Sequence, residues 1–503
     1  MRELGIFTDG TICAPATIPG TGAISIIRVS GEDSLAIADK VIDVKGESLS
    51  ETEGYRLRYG TIFADDGSVL DNVIVSVFRA PHSYTGENSV EISCHASRFI
   101  VNAVLELLVN AGARIAAPGE FTRRAFVNGK MDLAQAEAVA DVIASQSAAS
   151  HKVAMNQLKG GFSSELRVLR EKLLTMTSLL ELELDFSEED VEFASRSELG
   201  ALVEETLTHI VRLTDSFSRG NAIKNGVPVA IVGATNTGKS TLLNALLGEE
   251  RAIVSDIAGT TRDTIEETLN LGGVMFRFID TAGIRETDEV VEKIGIERTF
   301  RKLNEASIVL GMTDLSRGED TVLSDAEYIW DKVNASSSDR EFVLLVNKCD
   351  VNGIESVAAG SGGGYVETGT EAGSGAGYAD KTGKMARIEA ALREKGIVIK
   401  MVPISAKTGS GLPELTETLA EIGRRITGDT DETLVTNIRH YEALVRAATA
   451  LGRVQEGLKV ATLPPDLIAQ DLREALYHLG EIVGEISTDE VLGNIFRKFC
   501  IGK

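Results

Sequence analysis

The sequence is poor in cysteine, aromatic side chains and basic residues, and it has no long apolar run. Its four cysteines (Cys13, Cys94, Cys349 and Cys500) are scattered over 503 residues without a CxxC pair. That spacing argues against a disulfide framework or a cysteine zinc site and predicts a reducing, cytoplasmic setting. No stretch of eighteen apolar residues occurs, so no membrane-spanning helix and no membrane partner are expected. The opening MRELGIFTDGTICAPATIPG lacks a basic region followed by a long apolar core, and no secretory signal is expected there. Against 75 acidic residues stand only 51 basic ones, a net charge of −24. A surface of that sign repels phosphate backbones. Any RNA handled by the chain has to be held by a local patch or by a partner.

What is present reads as a multidomain protein of α/β and α parts. At 43% hydrophobic and 25% charged the chain is globular, and its length predicts two to four domains. Residues 1–127 mix the strand-like runs AISIIRV, NVIVSVF and SVEISC with one apolar helical stretch, SRFIVNAVLELLVNAG, which predicts an α+β domain. Residues 128–222 turn helical, with Leu166, Leu169, Leu173, Met176, Leu180 and Leu184 on one face, a stripe that predicts core packing between helices. Over 223–428, strand-like and helical runs alternate (VPVAIVG, MFRFIDTAG, ASIVLGMTD, EFVLLVNK, IVIKMVPIS), implying a mostly parallel sheet covered by helices. Residues 429–503 are helical again. One insertion, 360–383, holds nine glycines in 24 residues and is expected to be a flexible surface loop.

The chemistry is concentrated in the alternating block. GATNTGKST follows a strand and opens a helix, the context required by the phosphate-loop pattern GxxxxGK[ST]. Gly233, Asn236, Thr237, Gly238, Lys239, Ser240 and Thr241 are therefore expected to cradle phosphates, with Lys239 on the β and γ phosphates and the Ser240 hydroxyl on Mg²⁺. GTTRD, residues 259–263, places Thr261 as a second hydroxyl for that ion. DTAG (Asp280, Thr281, Ala282, Gly283) follows a strand, where Asp280 can hold the metal through water and Gly283 can meet the γ phosphate. NKCD brings Asn347, Lys348 and Asp350 to the end of another strand, and SAK brings Ser405, Ala406 and Lys407 to the last. The Asp350 carboxylate can accept both N–H groups of a guanine edge. Adenine would leave it unsatisfied at a cost of about 1–3 kcal/mol. Five elements in this order predict guanine-nucleotide binding.

The residue after DTAG is Ile284, which cannot orient water as the glutamine of a Ras-type switch does. Glu286, Asp288, Glu289 and Glu292 are the nearby carboxylates that could. No arginine finger is evident, and a monovalent cation beside the phosphates would serve the same electrostatic end. On residue type alone, Arg28, Glu87 and Lys130 read as ordinary surface charges.

Taken together, TIPGTGAISIIRVSG, SYTGEN, PGEFTRRAFVNGKMDLAQAEAVADVI, the nucleotide motifs, DTAGIRETDEVVEKIGIER and the closing CIGK give a resemblance over essentially the full chain. The sequence resembles the MnmE (TrmE) family of tRNA uridine-modifying GTPases. The resemblance implies an N-terminal folate-binding domain that also forms a homodimer, and a discontinuous helical domain carrying an inserted Ras-like P-loop GTPase domain. It assigns nucleotide contacts also to Ser255, Asp256, Ile257, Ala258, Gly259 and Thr260. It places K⁺ on Asn236, Ser255, Ile257 and Thr260, and makes Glu292 the catalytic carboxylate that positions water. Arg28, Glu87, Lys130 and Lys503 would line a site for a tetrahydrofolate, 5-formyl or 5,10-methylene, with Cys500 as a thiol beside it. The implied partners are tRNA and the FAD-containing MnmG, which together with this family installs an aminomethyl or carboxymethylaminomethyl group at C5 of the wobble uridine. A basic partner holding the tRNA would reconcile that role with the acidity of this chain.

The sequence departs from the family pattern in three places. Ala234 and Thr235 stand where a basic residue and proline are usual, Ala96 and Ser97 replace a glycine pair, and the glycine-rich insertion has no family counterpart. From another class, a ribosome-assembly or regulatory switch would use the same nucleotide motifs without modification chemistry.

Overall fold

The computed structural model describes residues 10–185, 196–250, 267–279, 305–334, 340–350, 379–428, 432–459, 464–486, 489–497, 499 and 502. They fall into two compact units. The first gathers Met1–Ala144, Ala154–Thr214 and Arg439–Lys503, and the second gathers Ser145–Val153 and Asp215–Ile438.

The first unit is built on a seven-stranded sheet of β1 (Ile12–Pro15), β2 (Ile24–Ser30), β3 (Ile42–Val44), β4 (Arg56–Phe63), β5 (Val69–Phe78), β6 (Ser89–His95) and β7 (Arg114–Ile115). The strand order is β3-β4-β5-β6-β2-β1-β7. Its pairs are antiparallel except β1 with β7. Period-two alternation turns Val73, Val75 and Val77 of β5, Val90 and Ile92 of β6, and Ile27 and Val29 of β2 toward one face. There they pack with Leu35 and Ile37 of helix Ser34–Val41 and with Val104 and Leu108 of helix Arg98–Asn110. The opposite face is mixed: Arg28, which stands across from Glu91 in register, shares it with the exposed side chains of Ile24, Tyr59 and Ile74.

The helical part of this unit includes helices Leu133–Ala144, Gly161–Asp185, Ile438–Lys459 and Pro465–Val483. Leu166, Leu169, Leu173 and Leu180 of the expected stripe are buried, and their helix packs against Pro465–Val483. A buried charge cluster joins segments that lie far apart in sequence. Arg439 donates from Nε and Nη2 to Glu137 at 3.0 and 3.1 Å, and to the carbonyls of Glu481 and Ile482 at 2.7 and 3.1 Å. His440 Nε2 is 2.6 Å from Glu137 Oε2. One guanidinium thus neutralises a buried carboxylate and also satisfies carbonyls in the last turn of Pro465–Val483, where a cation complements the helix dipole.

The second unit holds a six-stranded sheet of β8 (Val227–Gly233), β9 (Glu267–Leu271), β10 (Val274–Ile279), β11 (Ile308–Asp314), β12 (Glu341–Asn347) and β13 (Lys400–Pro403). Its order is β13-β12-β11-β8-β10-β9. All neighbours are parallel except the edge pair β9 with β10. Helices Lys239–Glu250 and Leu412–Thr427 cover one face through Leu242, Leu246, Leu415 and Leu419. Helices Glu319–Asn334 and Ala379–Glu394 cover the other through Val322, Ile329, Ile388 and Leu392. Burial on both faces is why β11 and β12 read as nearly unbroken apolar runs. Of the glycine-rich insertion, 360–378 lies outside the described residues. Residues 379–383, expected as loop, begin the helix Ala379–Glu394, because the glycine-dense tract stops at Gly377.

Burial pushes the Glu137 carboxyl up, but His440 and Arg439 outweigh it and bring it from 4.5 down to about 2. A depressed folded value adds stability above the unfolded value, and that stability is lost as the pH falls from about 4.5 toward 2. Replacing Glu137 by Gln leaves the Arg439 guanidinium without its counter-charge. The variant is expected to lose about 3 kcal/mol in urea unfolding at pH 7 and to show less acid sensitivity than the wild type in that window.

Candidate functional site

In the second unit, the chain runs from β8 out to β10 on one side and then crosses to β11 on the other. The carboxyl end of β8 therefore lies at a switch point, where open α/β sheets leave a crevice for ligands. The loop 234–238 occupies that place and feeds the N-terminus of helix Lys239–Glu250. Its backbone is wound tightly. Asn236 is left-handed at φ 59° and Gly238 has φ 102°; a side chain on Gly238 would collide with the Asn347 amide. For a residue other than glycine such a conformation costs about 1–3 kcal/mol and is kept where the surroundings over-determine it.

Thr237 is buried and donates from Oγ1 to the Ala234 carbonyl at 2.9 Å. Lys239 Nζ donates to the carbonyls of Gly233 and Ala234 at 2.9 and 2.8 Å. Burial lowers the pKa of this amine, and the two loop carbonyls are its hydrogen-bond acceptors. Ser240 follows in the first helical turn and Thr241 is exposed.

The NKCD segment begins where β12 ends. Asn347 is buried; its Nδ2 donates to the Thr237 carbonyl at 2.7 Å, and its Oδ1 accepts from the Ala406 N–H at 3.0 Å. One amide thus ties the phosphate-loop segment, NKCD and SAK together. Lys348 has φ 64° and donates to Asp314 Oδ2 at 2.7 Å. Burial pushes the Asp314 carboxyl up, but Lys348 and Ser316 outweigh it and hold it below its ordinary value. Cys349 is packed under the loop, its thiol pushed up by burial to about 12, which makes it inert. Asp350 is half-buried and Lys407 exposed. Ser405 is fully buried and shapes the SAK turn, its Oγ accepting from the Thr408 N–H at 3.2 Å.

The loop Ser255, Asp256, Ile257, Ala258, Gly259, Thr260 and Thr261, the segment Asp280, Thr281, Ala282 and Gly283, and the carboxylates Glu286, Asp288, Glu289 and Glu292 lie outside the described residues. So do Cys500 and Lys503.

In the first unit, the segment 81–88 links the three residues expected at a folate. The Arg28 guanidinium lies 5.1 Å from the Tyr84 ring centroid and 5.6 Å from that of Phe121, while pairing with Glu91 at 2.8 Å. Glu87 accepts from Arg124 at 3.0 and 3.1 Å and from the Ser30 hydroxyl at 2.8 Å. Lys130 donates to the Pro81 carbonyl at 3.0 Å, and nearby Asn128 donates to the Thr85 carbonyl at 2.7 Å. Arg124 is itself held by Glu120, which also pairs with Arg114. Burial pushes the Glu120 carboxyl up, yet Arg114, the Ala117 N–H and Arg124 together bring it below its ordinary value.

The tail reaches this unit's interior. Phe496 and Phe499 pack with Phe126 and Leu133. Gly502, at φ 100°, lies so close to Pro15 that a side chain there would strike the Pro15 carbonyl. Pro15 pairs with Ile27, next to Arg28.

Sequence reasoning missed Arg124 and Asp314. The signal for Arg124 was the doubled arginine in a helix whose other residues are mostly apolar; for Asp314 it was an acid closing the apolar run IVLGMTD.

A family model described as the MnmE helical domain matches residues 133–500, and one described as the GTP-binding protein TrmE N-terminus matches residues 11–130. The tRNA modification GTPase MnmE of Parabacteroides distasonis is 50% identical over 496 residues, covering 98% of this chain and 100% of that protein. The protein of the same name from Bacteroides fragilis is 50% identical over 495 residues, covering 98% and 99%. That from Porphyromonas gingivalis is 46% identical over 507 residues, covering 100% of both.

Asn347→Ala is expected to leave the Thr237 carbonyl and the Ala406 N–H without partners, at about 1–3 kcal/mol each. Hydrogen exchange should register it as faster exchange at Ala406, with β2 and β6 unchanged.

Proposed function

The chain belongs to the MnmE family of tRNA modification GTPases, and from that membership we propose that it binds and hydrolyses GTP in the service of tRNA modification. The observation that carries the nucleotide half is the Asn347 amide joined to Thr237 and Ala406, because it draws a phosphate-binding loop and a base-reading segment to one end of one sheet. In this reading 223–428 is a GTPase domain inserted between the helical segments 128–222 and 429–503, behind an N-terminal domain of 1–127.

Each residue has a physical task. Gly233, Asn236, Thr237, Gly238, Lys239, Ser240 and Thr241 surround the phosphates, where backbone N–H groups and the helix N-terminus favour anions. Lys239, now turned to its own loop carbonyls, gains a phosphate as its counter-charge. Ser240 and Thr261 would hold Mg²⁺. Asp350 accepts from the guanine edge, with Ser405, Ala406 and Lys407 closing the pocket. K⁺ on Asn236, Ser255, Ile257 and Thr260 would supply positive charge where no arginine does. Glu292 would align water, and Asp280 and Gly283 would follow the γ phosphate.

The modification half rests on the first unit. Arg28 beside Tyr84 and Phe121 offers a cation and flat rings, and Glu87, fixed by Arg124 and Ser30, offers a carboxylate to N–H donors. These groups fit a reduced pterin, with Lys130 and Lys503 as further ligands. A tetrahydrofolate there would supply a one-carbon unit to the wobble uridine, beside the Cys500 thiol. The packing of Phe499 and Gly502 supports bringing that thiol near the sheet. A homodimer and an FAD-containing MnmG partner complete the reading.

Three measurements test it. GTP turnover should be faster in K⁺ than in Na⁺, and equal rates would remove the cation assignment. Asp350→Asn should shift preference from guanine to xanthine nucleotides by about tenfold or more; unchanged preference would refute the base-pocket assignment. Mass spectrometry of tRNA nucleosides from cells carrying Cys500→Ser should show loss of the modified wobble uridine. Intact modification would favour a switch without chemistry.

A further inference from the structure

Lys348 follows Asn347, yet its side chain takes no part in the Asn347 bridge. β11 and β12 are parallel neighbours with Asp314 opposite Asn347. The backbone turns left-handed at Lys348, and the side chain reaches the end of β11, where Nζ donates to Asp314 Oδ2 at 2.7 Å. The other carboxylate oxygen accepts from the Ser316 N–H at 2.9 Å and from its hydroxyl at 2.6 Å, so the anion is fixed independently of the lysine. The Asp314 side chain is 5% exposed and that of Lys348 36%. A buried anchor thus restrains a half-exposed methylene stem, two residues before Asp350.

A lysine stem is an apolar surface when its ammonium is held elsewhere. We propose that Asp314 is a positioning residue for guanine recognition: by holding the Lys348 ammonium it sets the lysine stem as a flat wall for the purine, while Asp350 reads the purine edge. This deepens the nucleotide-binding reading above and rests on it. Without the carboxylate the stem samples many rotamers, and ordering it when nucleotide arrives costs affinity. Asparagine cannot substitute, because its one acceptor oxygen is already occupied by Ser316 and its amide repels an ammonium.

The test is calorimetric titration of GDP with Mg²⁺ into the full chain and its variants. Asp314→Asn and Lys348→Ala should each weaken GDP about tenfold, the size of one lost charged hydrogen bond. The double variant should be no weaker than Lys348→Ala, since Asp314 acts through the lysine. Lys348→Arg, which keeps a cation within reach of the carboxylate, should recover most of the affinity. The inference is overturned if Asp314→Asn binds within twofold of the wild type, or weakens GDP equally in both backgrounds. It is also overturned, without recourse to any change at Asp314, if Lys348→Arg binds no better than Lys348→Ala. Absence of GDP binding by the wild-type chain overturns this inference together with the nucleotide-binding reading, whereas the other results overturn this inference alone.

Discussion

A primary amide has a carbonyl oxygen and an NH₂ group, and Asn347 spends both across strand boundaries. A buried side chain of this kind has to find partners or be paid for in stability. Its partners are main-chain groups of two loops that are neighbours only because β8, β11, β12 and β13 run parallel, with their carboxyl ends side by side. The constraint works in both directions. The sheet sets where the loops can lie, and the amide sets how closely the phosphate-loop segment and the SAK turn approach. The unusual backbone of Asn236, Gly238 and Lys348 is tolerated because this bridge and the packed strands beneath it leave no better arrangement.

The first unit solves a different problem with the same rule. Glu120, Arg124 and Glu137 are charged and nearly inaccessible, so each is surrounded by opposite charge. The chain of contacts from Arg114 through Glu120 and Arg124 to Glu87 fixes a carboxylate in the loop before β6, beside Ser30 at the end of β2. The apolar face of the same sheet packs against helices. A sheet with one packed face can be stable and still present chemistry from the other.

Much of this was legible in the sequence, and the reasons differ by element. The parallel strands announced themselves because burial on both faces requires unbroken apolar runs, as in VLLV of β12 and IVLGM of β11. GATNTGKST, NKCD and SAK were recognisable because each follows a strand-like run and they occur in a set order along the chain. β4 was not anticipated: in its first half Leu57 and Tyr59 share the exposed face while Arg56 and Arg58 stand on the other, so the alternation there does not mark a core face. β9 escaped for a related reason, being a short antiparallel edge strand. The Arg124–Glu87 and Asp314–Lys348 pairings could not be read because they join residues 37 and 34 positions apart: the sequence marks Arg124 and Asp314 but does not record which distant residue each meets.

The Glu137–Arg439 pair bears on how the protein is made. Its members are separated by 302 positions, and the whole second unit lies between them. On a ribosome adding about 5–20 residues per second, Glu137 would wait about 15–60 s for its counter-ion. The parallel sheet can be finished by then, whereas the helices around Glu137 still lack two of their packing partners. Nascent chains stalled before residue 439 should therefore carry one completed body and one open to chaperones.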